Sequence, residues 1–186
     1  MSGWKLNTSN RDKFGEFARL FAQFGEPLEV SHLDVREVDA DPVTVIAHKA
    51  SQFGDPTLVE DTSLDVEGAT MGIQIRWLFD HLSAYVGHRA EWRVLLAFRR
   101  DRDIFIYRGA VSGSIVEPRG VGGFGFDPVF LPDGHKQTLA ESKPYSVNAR
   151  AKAVEALMTG NIWSVHPVIE NWEGPWQPHG VQKSSF

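Results

Sequence analysis

Residues 6–17 read LNTSNRDKFGEF. They join a short strand-like run, WKLN, to a helical pattern in which Phe14, Phe17, Leu20, Phe21 and Phe24 recur at the spacing of one helix face. Gly25 and Pro27 stop that helix. A strand that leaves through small polar residues straight into a helix is the opening of an α/β unit. It also surrounds the helix N-terminus with backbone N–H groups and with the side chains of Thr8, Ser9 and Asn10. Such an end attracts anions through its unpaired donors and its dipole. Lys13 adds a positive charge in the first turn, where it opposes the dipole, so a bound phosphate would explain it. The plainer alternative is that Ser9 or Asn10 only caps the helix.

Outward from this segment, PLEVSHLDV alternates as a strand, and DPVTVIAHKASQF opens on Asp-Pro as a second helix. PTLVEDTSLDVEG reads as a buried strand, a polar break and more strand, and IQIRWLFDHLSAY as helical. EWRVLLAFRR and DIFIYRGAVSGSIV form a hairpin turning at Asp101–Asp103. GVGGFGFDPVF is a glycine-rich loop and VNARAKAVEALM a late helix. Helices alternating with strands around a strand-rich middle predict an α/β fold with a mixed sheet. The composition changes after Thr159, where three of the six Trp (Trp163, Trp172, Trp176) fall. Residues 1–158 are therefore expected to form the main domain and 159–186 a Trp- and Pro-rich C-terminal extension.

At 186 residues and 42% hydrophobic, the chain can bury a core. A formal net charge of −5 argues against nucleic-acid binding, which needs clustered positive charge. No cysteine is present, which excludes disulfides, thiolate metal sites and a cysteine nucleophile. No apolar run reaches membrane-spanning length and no signal-peptide pattern opens the sequence, so no membrane partner and a cytoplasmic location are expected.

Two further segments carry chemistry. In VEDTS, Glu60 and Asp61 follow the apolar TLV. Adjacent carboxylates at a strand end repel, and a divalent cation relieves that repulsion. Oxygen ligands without cysteine point to Mg²⁺, with Mn²⁺ as the alternative, and Glu37 in VREVDAD is a candidate third carboxylate. A solvated acidic turn is the competing explanation. In GGFGFDPVF, the glycines, Gly125 among them, let the backbone approach a ligand. Phe124 and Phe126 offer flat faces for a nucleobase, and Asp127 an acceptor for its edge. The alternative is two core phenylalanines flanking a turn.

Taken in order, these segments resemble the inosine triphosphate pyrophosphatases, which act on nucleoside triphosphates carrying non-standard purines. TSNRDK at 8–13 is similar to that family's Thr-Gly-Asn-x-x-Lys, and VEDTSL to its acidic segment. SGSIVEPRGVGGFGFDPVFLPDGHKQTLAE runs parallel to its Pro-Arg-Gly, Phe-Gly-Trp/Tyr-Asp-Pro and Pro-Asp-Gly segments. The resemblance covers roughly Leu6 to Leu157. It implies an elongated α/β fold of two lobes with a cleft between them, and usually a homodimer. It places Thr8, Asn10 and Lys13 on phosphate-binding positions and Lys49 on a second phosphate-contacting lysine. It places Glu37 and Asp61 on magnesium-associated carboxylates with Glu60 beside them, Phe124 to Asp127 on the base loop, and Arg150 on an arginine that holds the base.

Some residues depart from the family. Ser9 replaces a glycine, and Phe126 a Trp or Tyr. Asn148-Ala149-Arg150 stands for Ser-His-Arg, so a base-contacting histidine is absent, and Lys143-Pro144-Tyr145 stands for Glu-Lys-Asn, so a lysine is displaced or lost. The loop EGATMG is shorter than its counterpart. The reaction implied is Mg²⁺-dependent hydrolysis of a nucleoside triphosphate to the monophosphate and pyrophosphate, with Asp61 as principal ligand or base, assisted by Glu60 and Lys13. The competing readings are a nucleotide-binding protein that has lost turnover, and a pyrophosphatase for a different base. On the substrate side, Lys13 and Lys49 are expected to hold their ammonium groups apart from internal carboxylates, ready for phosphate.

Overall fold

A mixed sheet organises the chain in a computed structural model that describes residues 3–54, 57–69 and 75–178. The elements run β1 (Trp4–Asn7), α1 (Arg11–Ala22), β2 (Leu28–Ser31), α2 (Pro42–Ser51), β3 (Thr57–Val66), α3 (Ile75–Asp80), α4 (Leu82–Tyr85), β4 (Arg89–Arg100), β5 (Asp103–Ile115), β6 (Phe130–Pro132), α5 (Ala149–Met158) and β7 (Ser164–Pro167). The strand order is β2-β1-β3-β4-β5-β6, with β7 also on β5. β1 pairs in parallel with both β2 and β3, and every later pairing is antiparallel. The fold is thus the mixed α/β arrangement that the alternation of elements predicts. Among the described residues no helix is long and apolar enough to cross a membrane.

Several elements differ from the sequence expectation: the helix expected over residues 73–85 is divided into α3 and α4, with residues 73–74 outside the described residues, and β6 and β7 are additional strands. The second strand stops at Ser31 instead of running through Val35. Its partner β1 ends at Asn7, opposite Ser31, so residues beyond have no ladder to join. The polar break expected within residues 56–68 is absent. β3 runs unbroken from Thr57 to Val66, paired with β4 along Leu58–Val66. Glu60 and Asp61 lie within this strand, each only 6% exposed. They are not at a strand end.

Alternation along β3 divides its side chains between two cores. Leu58, Leu64 and Val66 join Phe17, Leu20, Phe21, Trp92 and the alanines of α5 on one face. Val59 joins Ile46, Ala47, Ala50, Leu95 and Ala97 on the other. Glu60 therefore faces the α1/α5 side and Asp61 the α2 side. β1 pairs with β3 only at Thr57 and Leu58. Beyond that, among the described residues, one edge of β3 carries no strand. The loops after β1 and β2 leave the sheet beside this open edge, one toward α1 and the other toward α2. Crevices at the carboxyl ends of parallel strands, where successive connections part to opposite faces, are the usual ligand position in open α/β sheets.

α5 lies close on β5 because both surfaces are small. Ala149, Ala151 and Ala153 are completely buried. A Cβ built on Gly109 would stand 1.9 Å from the Ala149 carbonyl oxygen and 2.6 Å from the Ala153 nitrogen. Backbone cannot yield as a flexible side chain would, so Gly109→Ala should lift the helix that carries Arg150. We expect a loss of about 3 kcal/mol in urea unfolding, and a change below a few tenths would show that α5 repacks without strain.

Candidate active site

The turn after β1 builds both a cap and a charged site. Asn10 is in extended conformation (φ −88°, ψ 111°), and its side-chain oxygen accepts the Lys13 backbone N–H at 3.0 Å. Its own N–H donates to Thr8 Oγ1 at 3.2 Å. Ser9 is exposed and is not among the residues with positive φ, so this turn makes no demand for the family's glycine. The cap turns Lys13 across the open edge of β3, where its ammonium pairs with the Glu60 carboxylate.

The expectation of lysines kept apart from internal carboxylates is therefore wrong. Lys13 is paired with Glu60. Thr62 donates to the second Glu60 oxygen at 2.9 Å, and Arg150 donates to Thr62 at 3.5 Å. Burial pushes the Glu60 carboxyl up, but Lys13, Arg150 and Lys49 outweigh it and hold the group down at about 2. Burial also lowers Lys13, and Arg150 and Lys49 add to that against the raising effect of Glu60. Lys13 is lowered first by burial, whereas Glu60 is lowered by the three cations around it, and that surplus of positive charge at Glu60 suits a further anion.

The α2 side has the opposite bias. Asp41 caps α2 by accepting from Val43 and Thr44, and Pro42 sits in its first turn. Near its other end Lys49 reaches Glu37 at 2.8 Å and donates to the Glu60 carbonyl at 3.1 Å. Burial lowers Lys49, but Glu37, Asp61 and Glu60 together raise it above its ordinary value. This side favours positive charge. Glu60 and Asp61 thus do not share one cation as an adjacent pair. Glu60 serves Lys13, while Asp61 and Glu37 flank Lys49 from the other face.

The third region surrounds Phe124. Phe126 is only 3% exposed and packs edge-on against Trp92 and Phe130, so it is a core residue and offers no stacking face. Phe124 is half-buried, with the Arg150 guanidinium 4.9 Å and the Lys143 ammonium 5.0 Å from its ring centre. Asp127 accepts the Phe124 N–H at 2.9 Å and pairs with Lys143 at 2.6 Å. Gly123 and Gly125 both have positive φ (68° and 62°), and a Cβ on Gly123 would overlap Asp127 Oδ2. Arg150 is 2% exposed and pairs with Glu16 at 3.1 Å, yet its Nε has no hydrogen-bond partner.

Sequence reading missed three contributors. Glu16 is buried beneath Arg150, Asn148 and Lys143. Its signal was a carboxylate four residues before Leu20 on the inward stripe of α1. Thr62 links Glu60 to Arg150, and Trp92 lies under both cations, 5.2 Å from Arg150 and 5.4 Å from Lys143. Among the described residues no group of three or more His, Asp or Glu could hold a metal as an all-protein cage. The oxygen donors Glu37 and Asp61 nevertheless fit Mg²⁺. That ion is usually held by one or two carboxylates together with substrate phosphates.

Among solved structures, the chain is similar to a nucleoside-triphosphatase / dITP/XTP pyrophosphatase from Mycobacterium abscessus, with a TM-score of 0.53 at 24% identity over 82% of this chain and 97% of that one. At that identity the likeness defines the class of fold. The chain belongs to the Ham1 family, whose pattern it matches over residues 4–160. It is 34% identical to a dITP/XTP pyrophosphatase from Pyrobaculum aerophilum over 82% of this chain and 92% of the relative. It is 31% identical to an inosine triphosphate pyrophosphatase from Yarrowia lipolytica, with 81% and 90% covered.

Removing one partner of a buried pair leaves an uncompensated charge. Lys13→Ala should cost about 3 kcal/mol of stability, and adding Glu60→Gln should recover much of it. Glu60 is depressed on folding, so its contribution is complete above the unfolded value near 4.5 and disappears as pH falls toward about 2. The stability gap between wild type and Glu60→Gln should close over that window. A gap independent of pH there would show that the pair contributes nothing.

Proposed function

We propose that the chain hydrolyses nucleoside triphosphates bearing non-standard purines to the monophosphate and pyrophosphate, with Mg²⁺, as a homodimer cleansing the cytoplasmic nucleotide pool. The observation that carries this reading is the convergence of Lys13 and Lys49 on neighbouring atoms of β3 from opposite faces. Between them they bracket one open strand edge with an anion-favouring side and a cation-favouring side. A metal-bound triphosphate needs both. The names of the relatives from Pyrobaculum aerophilum and Yarrowia lipolytica support the same activity.

In this reading Thr8, Ser9, Asn10 and the first turn of α1 receive phosphate oxygens, and the incoming anion competes with Glu60 for Lys13. Mg²⁺ would supply charge neutralisation at the phosphates and a polarised water. Glu37 and Asp61 would be its protein donors, and release of Lys49 from Glu37 would place the ammonium toward the departing pyrophosphate. Asp61, aligned by the β3 ladder, holds or orients the attacking water at the α-phosphorus. Phe124 supplies the stacking face.

The base edge meets Lys143, Asp127 and Arg150. The displaced lysine still arrives at the base loop, one residue earlier in the chain, and the unpaired Arg150 Nε is a second donor. Both suit a keto oxygen better than an amino group. No side chain on α5 replaces the histidine of the family pattern, so discrimination should be weaker than the family's, or shifted.

Asp61→Asn should lower kcat by about 10² or more while preserving the fold. Product analysis should show pyrophosphate; release of inorganic phosphate and a diphosphate would sink the mechanism, and binding without release would leave a nucleotide-binding protein. Lys143→Met should cut the kcat/KM preference for inosine and xanthosine triphosphates over adenosine triphosphate by about tenfold, equivalent to about 1.4 kcal/mol. An unchanged ratio would remove Lys143 from base recognition.

A further inference from the structure

The match to the family ends at residue 160, but the chain beyond it is built into the same structure. Trp163 donates its N–H to the Ile106 carbonyl at 2.9 Å, and β7 pairs with β5. Val168 and Ile169 pack on the α2-side core, and the Ile169 N–H donates to Ser51 Oγ at 2.9 Å. The chain then crosses α2. The rings of Trp172 and Trp176 meet the buried His48 ring edge-on, at centre distances of 6.3 and 5.4 Å. The Arg36 guanidinium covers Trp176 at 4.7 Å.

The crossing ends on one short stretch of the β2–α2 loop. Trp176 forms an antiparallel bridge with Val38. The Asp39 N–H donates to the Pro175 carbonyl at 2.9 Å, the Gln177 N–H to the Glu37 carbonyl at 3.0 Å, and Gln177 Nε2 to the Val38 carbonyl at 3.1 Å. All three bonds land on residues 37–39. A carboxylate on a ten-residue loop that leaves an edge strand would otherwise sample many positions, and the entropy of fixing it would weaken any ligand it holds.

We propose that the C-terminal tail is a strap whose residues Trp176 and Gln177 position Glu37 for the metal ion. The inference rests on the reading of Glu37 as an oxygen donor. The indole wedges between His48 and Arg36, and the Gln177 backbone and amide hold the loop in register, so the Glu37 carboxylate stays directed toward Lys49 and the Asp61 side of β3. Trp176 and Gln177 do not touch substrate in this arrangement; they act through Glu37.

The test is Mn²⁺ binding to the substrate-free full chain, read from the electron-spin-resonance signal of the unbound ion. Gln177→Ala and Trp176→Ala should each raise the Mn²⁺ Kd by about tenfold, the lower range for losing an outer partner of a metal-ligating residue. Trp176→Phe should restore most of the affinity. In the Glu37→Gln background the same tail substitutions should add nothing, because the group they position is already gone. Circular dichroism checks folding, and Gln177→Ala keeps the indole packing intact should Trp176→Ala unfold. Losses that add fully to that of Glu37→Gln, or a lowered Tm with unchanged Kd, would overturn the strap while leaving Glu37 as donor. An unchanged Kd in Glu37→Gln itself would overturn the metal reading and the strap with it.

Discussion

The buried pairing of Lys13 with Glu60 is the constraint from which the site follows. Neither charge is stable there alone. A carboxylate at 6% exposure in the middle of a strand needs a cation, and a lysine in the first turn of a helix needs an anion. The pair can form only because β1 stops at Asn7 and leaves the β3 edge open for the turn and helix that follow. Extending β1 by two residues would fill that edge with a ladder and bury Glu60 against backbone. The end of a short strand, the Asn10 cap and an interior carboxylate are thus parts of one arrangement.

The other side of β3 is organised by the same strand geometry with the opposite sign. Successive residues point to opposite faces, so a Glu-Asp dipeptide inside a strand cannot form one chelating pair. It can place one carboxylate among cations and the next among anions. Glu60 has Lys13 and Arg150 around it and is held low; Lys49 has Glu37 and Asp61 around it and is held high. Two adjacent backbone positions thereby create a dipolar site across the edge of a sheet. Coulombic fields fall off slowly at low effective dielectric, so each half also feels the other: Lys49 contributes to depressing Glu60.

Much of this was legible in the sequence and some was not. The helical stripe from Phe14 to Phe21, the Asp41 cap and the Asp101–Asp103 hairpin follow from local periodicity and turn chemistry, and the fold class follows from them. The reading failed where polar residues behaved as core. Glu60, Asp61, Thr62 and Ser63 look like a break because their burial depends on partners 47 residues upstream or 88 downstream, as in the Lys13 pair and the Arg150–Thr62 contact. Phe126 is the reverse case: a glycine-rich stretch suggests an exposed ring, but its ring is drawn inward by Trp92 and Phe130. Glu16 was passed over because one carboxylate on an amphipathic helix looks like surface until Asn148 and Arg150 are brought over it. The tail shows a Trp-rich composition but no sign of where it packs, since its hydrogen bonds go to Arg102, Ile106, Ser51 and residues 37–39.

Charge balance differs between the two ends of the polar region that runs from Phe124 to Glu60. Around Phe124, two cations (Lys143 and Arg150) face two carboxylates (Glu16 and Asp127), with each cation in contact with a carboxylate. That cluster is balanced, and it suits a neutral planar group that needs donors, acceptors and a ring face without net charge. Around Glu60 the nearby cations Lys13, Arg150 and Lys49 together outweigh burial and hold the carboxyl low. Pro144, with φ −67° and ψ 160°, starts the short helical turn Tyr145–Val147 directly after Lys143, so the lysine enters from an extended segment. Ala149 is completely buried, and its carbonyl lies where a Cβ on Gly109 would stand, so the α5 backbone is pressed on β5. Any side chain at Gly109 would have to displace the helix that carries Arg150.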